Sequence, residues 1–234
     1  MFVILKQNLW RSSVISLPML HFQRLARADI AAASWLRRLS TSHAPLRFLI
    51  VEGYSEEGRK ELVDNGARIA SDLYATMLAS SAGSIPTTHH VIYPTDGPFE
   101  LPDLSQFDGV AWTGFAVFAA GGKVAKNPNG REMGLARKFW GLQYHPEYNL
   151  HEMARLTHAR RGRLVNYGLF RDMAAADRYV AELELLYANP HRKDIAWRLG
   201  IDADVLDDDI RCIEVKNYIK HLVLPYKQAR ALLL

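Results

Sequence analysis

From Leu46 to Gly53 the chain reads LRFLIVEG. A short apolar run rich in β-formers and closed by glycine predicts a strand buried on both faces, and such a strand needs packed layers above and below it. Ser55 follows, with Glu56 and Glu57 immediately behind it. A serine N-cap with acids in the first turn predicts the start of a helix. Ile69, Leu73, Met77 and Leu78 then recur at helical spacing, so that helix is expected to continue to near Gly83. HHVIYP reads as a second strand and DGVAWTG as a third, ending at Gly114. Strand, helix, strand, strand with buried apolar runs predicts an α/β fold, a three-layer parallel sheet with flanking helices. Ligands in such sheets bind beyond the carboxyl ends of the strands, which places Gly53, Gly114 and the turn after Tyr144 where a site is expected.

Beyond Asn149 the pattern turns helical and stays so. Leu150, Met153 and Leu156 form one stripe; Tyr179, Val180, Leu183 and Leu186 form a second; Ile210, Ile213, Tyr218, Ile219 and Leu222 form a looser third. YANPHRKD breaks the pattern, because Pro190 disfavours helix at the residue before it. No repeat or low-complexity segment is present. The expected organisation is a leader over 1–43, an α/β domain over 44–150 and a helical C-terminal appendage over 151–234.

Charge supports that division. Of 29 basic and 25 acidic residues, Lys6, Arg11, Arg24, Arg27, Arg37, Arg38 and Asp29 lie in the leader, leaving 23 basic and 24 acidic residues in the body. A near-neutral body offers no broad positive field, so no nucleic-acid partner is expected. The Arg- and Ser-rich leader, ending in RRLSTSHAP, has the composition of a transit peptide or of an upstream region read ahead of a start near Leu46. The location expected is cytoplasmic, or the mitochondrial matrix if the leader is a true transit peptide. No stretch approaches the roughly 18 unbroken apolar residues that span a bilayer, so no membrane partner is expected. Cys212 is the single cysteine, which excludes an internal disulfide and any cysteine-based zinc cluster.

The chemistry concentrates at GLQYHPEYN, residues 141–149. Pro146 neither donates to a ladder nor continues a helix, so His145 and Glu147 are expected on a sharp turn at the end of the strand FWGLQY. A carboxylate beside a histidine fixes its tautomer and stabilises the imidazolium that forms when it acts as a general base.

GLQYHPEYN resembles the His-Pro-Glu segment of class I glutamine amidotransferases, particularly the type related to GMP synthase. LRFLIVEGYSEEGR is similar to that family's first strand and loop, FDGVAWTG to its strand leading to the oxyanion loop, and AAGGKVAKNPNGREMGLARK to the segment after its nucleophile helix. The resemblance covers most of 46–225. It implies a flavodoxin-like fold, and an enzyme that hydrolyses glutamine to glutamate and ammonia for an acceptor site or a synthetase partner. It implies His145 as base and Glu147 as orienting acid, with Gly114, Gln143 and Tyr144 near the oxyanion or substrate. No cofactor and no metal are implied. The family's nucleophile is a cysteine on a Gly-x-Cys-x-Gly elbow, and this chain has none: WTG passes directly into FAVFAAGGKV, and a second shortening falls between GLARK and FWGLQYHPE.

No other residue fills that role. Cys212 follows Asp207, Asp208 and Asp209, which are expected to raise its thiol pKa, and it sits on a helical pattern without a glycine elbow. Ser55 lacks the Gly-x-Ser-x-Gly frame and is better read as an N-cap. GGK at 121–123 lacks the Ser/Thr of a P-loop, and HEMAR at 151–155 lacks the second histidine of a zinc site. His89 and His90 are expected on opposite faces of a strand. Two readings are expected of such a chain: an amidotransferase-like protein impaired in catalysis, or a non-catalytic binding or regulatory relative, including a shortened gene product.

Overall fold

The computed structural model describes residues 44–114, 117–120, 124–126, 132–134, 138–142 and 144–231. The leader, GGK at 121–123 and Gln143 lie outside the described residues.

The fold is α/β, with a five-stranded mixed sheet flanked by helices. Its strands are β1 (Leu46–Val51), β2 (Thr87–Ile92), β3 (Gly109–Trp112), β4 (Val117–Ala120) and β7 (Lys138–Gly141), in the order β2-β1-β3-β4-β7. A separate antiparallel pair is made by β5 (Val124–Lys126) and β6 (Glu132–Gly134). β2, β1 and β3 are parallel, as expected. β4 overturns the all-parallel expectation, because it runs antiparallel to both β3 and β7. The cause is the length of the connection. A parallel pair needs a crossover of a dozen or more residues, whereas the link from Trp112 to Val117 suffices only for a reversal.

The expected single helix after Ser55 is two, α1 (Glu56–Asp64) and α2 (Ala70–Ser81). Ser55 caps α1 as expected, its hydroxyl accepting the Gly58 N–H at 3.3 Å. α2 has Ile69 at its N-cap, which offers no side-chain bond. Glu52, arriving from the end of β1, accepts the Ser71 N–H at 2.8 Å instead. The carboxylate thereby caps α2 through tertiary structure and sits at the positive end of its dipole.

One face of β1 presents Leu46, Phe48 and Ile50 to the main core, together with Ala111, Phe118 and the α2 residues Tyr74, Met77 and Leu78. The other presents Leu49 and Val51 beside Ile92, Val110 and Phe107. Alternate residues of one strand are thus buried on both sides, which is why it reads as an unbroken apolar run.

The helical region expected over 151–234 divides in two. α3 (Leu150–Asn166), α4 (Met173–Ala188), α5 (Lys193–Leu199) and α6 (Ala203–Leu206) gather around Leu150, Ala154, Val180, Leu183, Leu186 and Ile195. Asn149 and Asp172 cap α3 and α4. After α7 (Asp208–Arg211), α8 (Ile213–Tyr218) turns Cys212, Val215, Tyr218, Ile219 and Val223 into the main core under the sheet. The third expected stripe is therefore shifted: Tyr218 and Ile219 are buried, but Ile210 and Ile213 are exposed. The break between α7 and α8 at Cys212 resets the helical phase. A π turn at Ile219–Val223 precedes α9 (Leu224–Ala231), where Pro225 has no N–H to continue an α-helical ladder.

Candidate functional site

Ile92, Val51, Trp112, Val117 and Gly141 stand in one row across the sheet. The row is the carboxyl end of β2, β1, β3 and β7, the last running in the direction of β3 because β4 is antiparallel to both, so the chain segments that leave Val51, Trp112 and Gly141 emerge at a single edge. Those segments carry Glu52, Gly53, Thr113, Gly114 and the His-Pro-Glu turn.

Glu52 organises this edge. Its side chain is fully buried and accepts the Tyr54 N–H at 3.0 Å, the Thr113 hydroxyl at 2.8 Å and the Ser71 N–H at 2.8 Å. The Thr113 oxygen in turn accepts the Gly53 N–H at 2.8 Å. Gly53 makes this approach possible, because a Cβ there would lie 2.8 Å from the Thr113 carbonyl oxygen. Gly114 ends the strand at φ +83, with open space around it.

His145 and Glu147 meet as their spacing predicted, Nδ1 lying 2.8 Å from Oε1. An ionised carboxylate only accepts, so Nδ1 carries the proton and Nε2 is left as the basic atom. The glutamate side chain is 1% exposed and the histidine 36%. The acid is thus sealed inside while the base reaches solvent. Glu147 Oε2 has no hydrogen-bond partner among the described residues. The hydrogen bond to Glu147 raises the His145 pKa above its ordinary value against the opposing effect of burial. An NMR titration of the His145 ring should therefore give a midpoint above 6.5, and Glu147→Gln should lower it. Basic Nε2 accordingly accumulates as pH rises through that raised value. The stability that the pair lends is present below the unfolded pKa and is lost over the same rise. An unchanged midpoint in the Glu147→Gln protein would contradict the assignment.

The turn is pinned from behind. Tyr148 N–H donates to the His145 carbonyl at 3.3 Å. The Pro146 carbonyl accepts Arg211 Nε at 3.0 Å and the Cys212 thiol at 3.6 Å. Tyr144 donates its hydroxyl to the Arg211 carbonyl at 3.2 Å, and burial pushes its pKa up to about 12. Tyr144 therefore anchors the turn to α7. Cys212, distant in sequence, lies against the dyad's own backbone. Its thiol pKa is raised as expected, though burial is the larger cause, with Asp208 adding to it and Arg211 and Lys216 opposing. A thiol held protonated against a carbonyl is not an activated nucleophile.

A tyrosine from the turn and one from β1's exit lie near each other. The Tyr148 ring meets His145 edge-on at 5.8 Å between centroids, and burial together with the nearby Tyr54 hydroxyl raises the Tyr148 pKa. Arg160, from α3, stands over the Tyr54 ring at 5.5 Å. Glu52, Tyr54, Thr113, Tyr148, Arg160 and Arg211 were not singled out from sequence. Glu52 alone carried a legible signal, as an acid closing an apolar strand; the others lie far apart in the chain.

The remaining candidates fall elsewhere. His151 Nδ1 pairs with Glu184 at 2.8 Å. His89 and His90 lie exposed on the edge strand β2 and border a cavity of about 280 Å³ with Arg47, Phe48 and Phe107, which includes no residue of the dyad. Among the described residues no group of three acids, histidines or cysteines could hold a metal, and no helix is long and apolar enough to cross a membrane. Compared with known proteins, the chain matches no family model, no curated protein and no solved structure.

Proposed function

We propose that the protein is a class I glutamine amidotransferase-like protein that binds glutamine at the His145–Glu147 dyad and is impaired in hydrolysing it. The observation that carries this reading is the 2.8 Å contact between a half-exposed histidine and a sealed glutamate on a proline turn at the carboxyl edge of the sheet. That arrangement suits a base that takes a proton from a nucleophile and returns it to leaving ammonia. The flavodoxin-like frame implied by the resemblance agrees with three parallel strands in the order β2-β1-β3. Impairment is expected because β3 reverses directly into β4 where an elbow would belong, and because Cys212 is buried behind the turn.

The expected result is saturable glutamine binding by calorimetry, weakened by His145→Ala, with ammonia release near background. Glutamine turnover abolished by His145→Ala would overturn the impairment. Failure to bind glutamine would overturn the glutamine reading itself.

A further inference from the structure

The cavity of about 280 Å³ beside β2 lies apart from the dyad, nearer the amino ends of β1 and β2. Its walls come from β1, the edge strand β2 and the segment that leads into β3. Arg47 and Thr88 are register partners in a parallel pair, so their side chains share one face of the sheet; His90, two residues beyond Thr88, shares it too. The Phe107 ring closes over the same face, packing beside Leu49 and lying 6.2 Å from the His90 ring between centroids. Pro102 and Gln106 complete the wall. Alternation along β2 turns the His89 side chain to the opposite face.

The charge in this cavity has one sign. No acid lines it among the described residues. The acids next in the chain to Pro102 and Phe107 are engaged elsewhere: Asp103 accepts the Ser105 N–H at 2.9 Å and its hydroxyl at 2.8 Å, and Asp108 faces two cations, Lys227 and Arg230. The Arg47 backbone N–H donates to Asp108, but its guanidinium makes no hydrogen bond or ion pair among the described residues.

We propose that this cavity binds a small phosphate monoester whose ester group is flat and apolar. The guanidinium of Arg47 presents a planar fork of donors that matches phosphate geometry. The Thr88 hydroxyl, the Gln106 amide and the His90 ring add donors from two further segments, which suits the three terminal oxygens of a phosphate better than the two of a carboxylate. Phe107 and Pro102 supply an apolar wall for the flat group. The volume, at the lower end of the roughly 300–1,000 Å³ usual for ligand pockets, suits one small molecule. This site is independent of how the dyad is used.

Calorimetry on the full chain with phenyl phosphate, inorganic phosphate and benzoate tests the assignment. Phenyl phosphate should bind saturably and about tenfold more tightly than either of the others. Arg47→Gln should weaken it about tenfold or more, and His90→Gln by a smaller factor. The Arg47→Gln protein keeps the backbone N–H that Asp108 accepts, so its circular dichroism should match wild type. His89→Gln and His145→Ala should leave the affinity unchanged. Equal losses in His89→Gln and His90→Gln would reduce the effect to general surface charge and overturn the site. Loss in His145→Ala would move the ligand to the dyad, with the same consequence. Benzoate binding as tightly as phenyl phosphate would overturn the phosphate assignment, and equal affinity for inorganic phosphate would overturn the apolar ester. Binding of none of the three would overturn the proposal as a whole.

Discussion

Asp108→Ala should cost about 3–5 kcal/mol of folding stability, because it removes one partner of a buried ionic cluster and leaves the other charges uncompensated. The Asp108 side chain is 0% exposed and closes a clamp between the sheet and the last helix. Its carboxylate accepts the Arg47 N–H at 2.9 Å and pairs with Lys227 at 3.0 Å and with Arg230. Lys227 also reaches the Pro45 carbonyl, and Arg230 the carbonyls of Ser105 and Phe107. One aspartate thus holds α9 against both the start of β1 and the approach to β3. Urea unfolding would measure the loss, and limited proteolysis should show cleavage within 224–231 before the sheet is lost. Asp108→Asn keeps the volume and part of the hydrogen bonding, so it should fall between wild type and alanine. A midpoint for Asp108→Ala within experimental error of wild type would show that the clamp contributes nothing.

Glu52→Ala should have an effect of similar size and should also reach the site. Three donors lose their acceptor: the N–H groups of Tyr54 and Ser71 and the hydroxyl of Thr113. Each buried orphan costs about 1–3 kcal/mol, so a total of about 3–5 kcal/mol is expected after partial hydration. The functional part is separable from the structural one. Tyr54 is positioned by Glu52 and lies near Tyr148, so the His145 NMR signal should shift even under conditions where Glu52→Ala remains folded. Glu52→Gln retains an acceptor oxygen and should recover part of the stability. A Glu52→Ala protein of wild-type stability with an unmoved His145 resonance would show that the network is incidental to both fold and site.

Legibility varied with the range of the interactions involved. β1 was readable because burial on both faces writes an unbroken apolar run into adjacent residues. The cap at Ser55 was readable because donor and acceptor are three residues apart. The His145–Glu147 contact was readable because Pro146 forces the two into one turn. The break between α1 and α2 was not, since the cap that starts α2 comes from Glu52 on a different element. β4 was not foreseen as a strand, and the all-parallel expectation failed there because an apolar run does not encode strand direction, whereas the short link to β3 does. The position of Cys212 against Pro146 was invisible, since the two are 66 residues apart and no local pattern joins them.

What sequence by itself determined, therefore, is the α/β class, the central strand and the contact between His145 and Glu147, all set by near neighbours in the chain. What only the tertiary structure decided is the company that pair keeps: Glu52 and Thr113 from two parallel strands, Tyr54 and Arg160 from β1's exit and α3, and Arg211 with Cys212 behind the turn. The physical reason is that hydrogen bonds and charges act over a few ångströms of space, and spatial neighbours drawn from different elements leave no periodicity in the sequence.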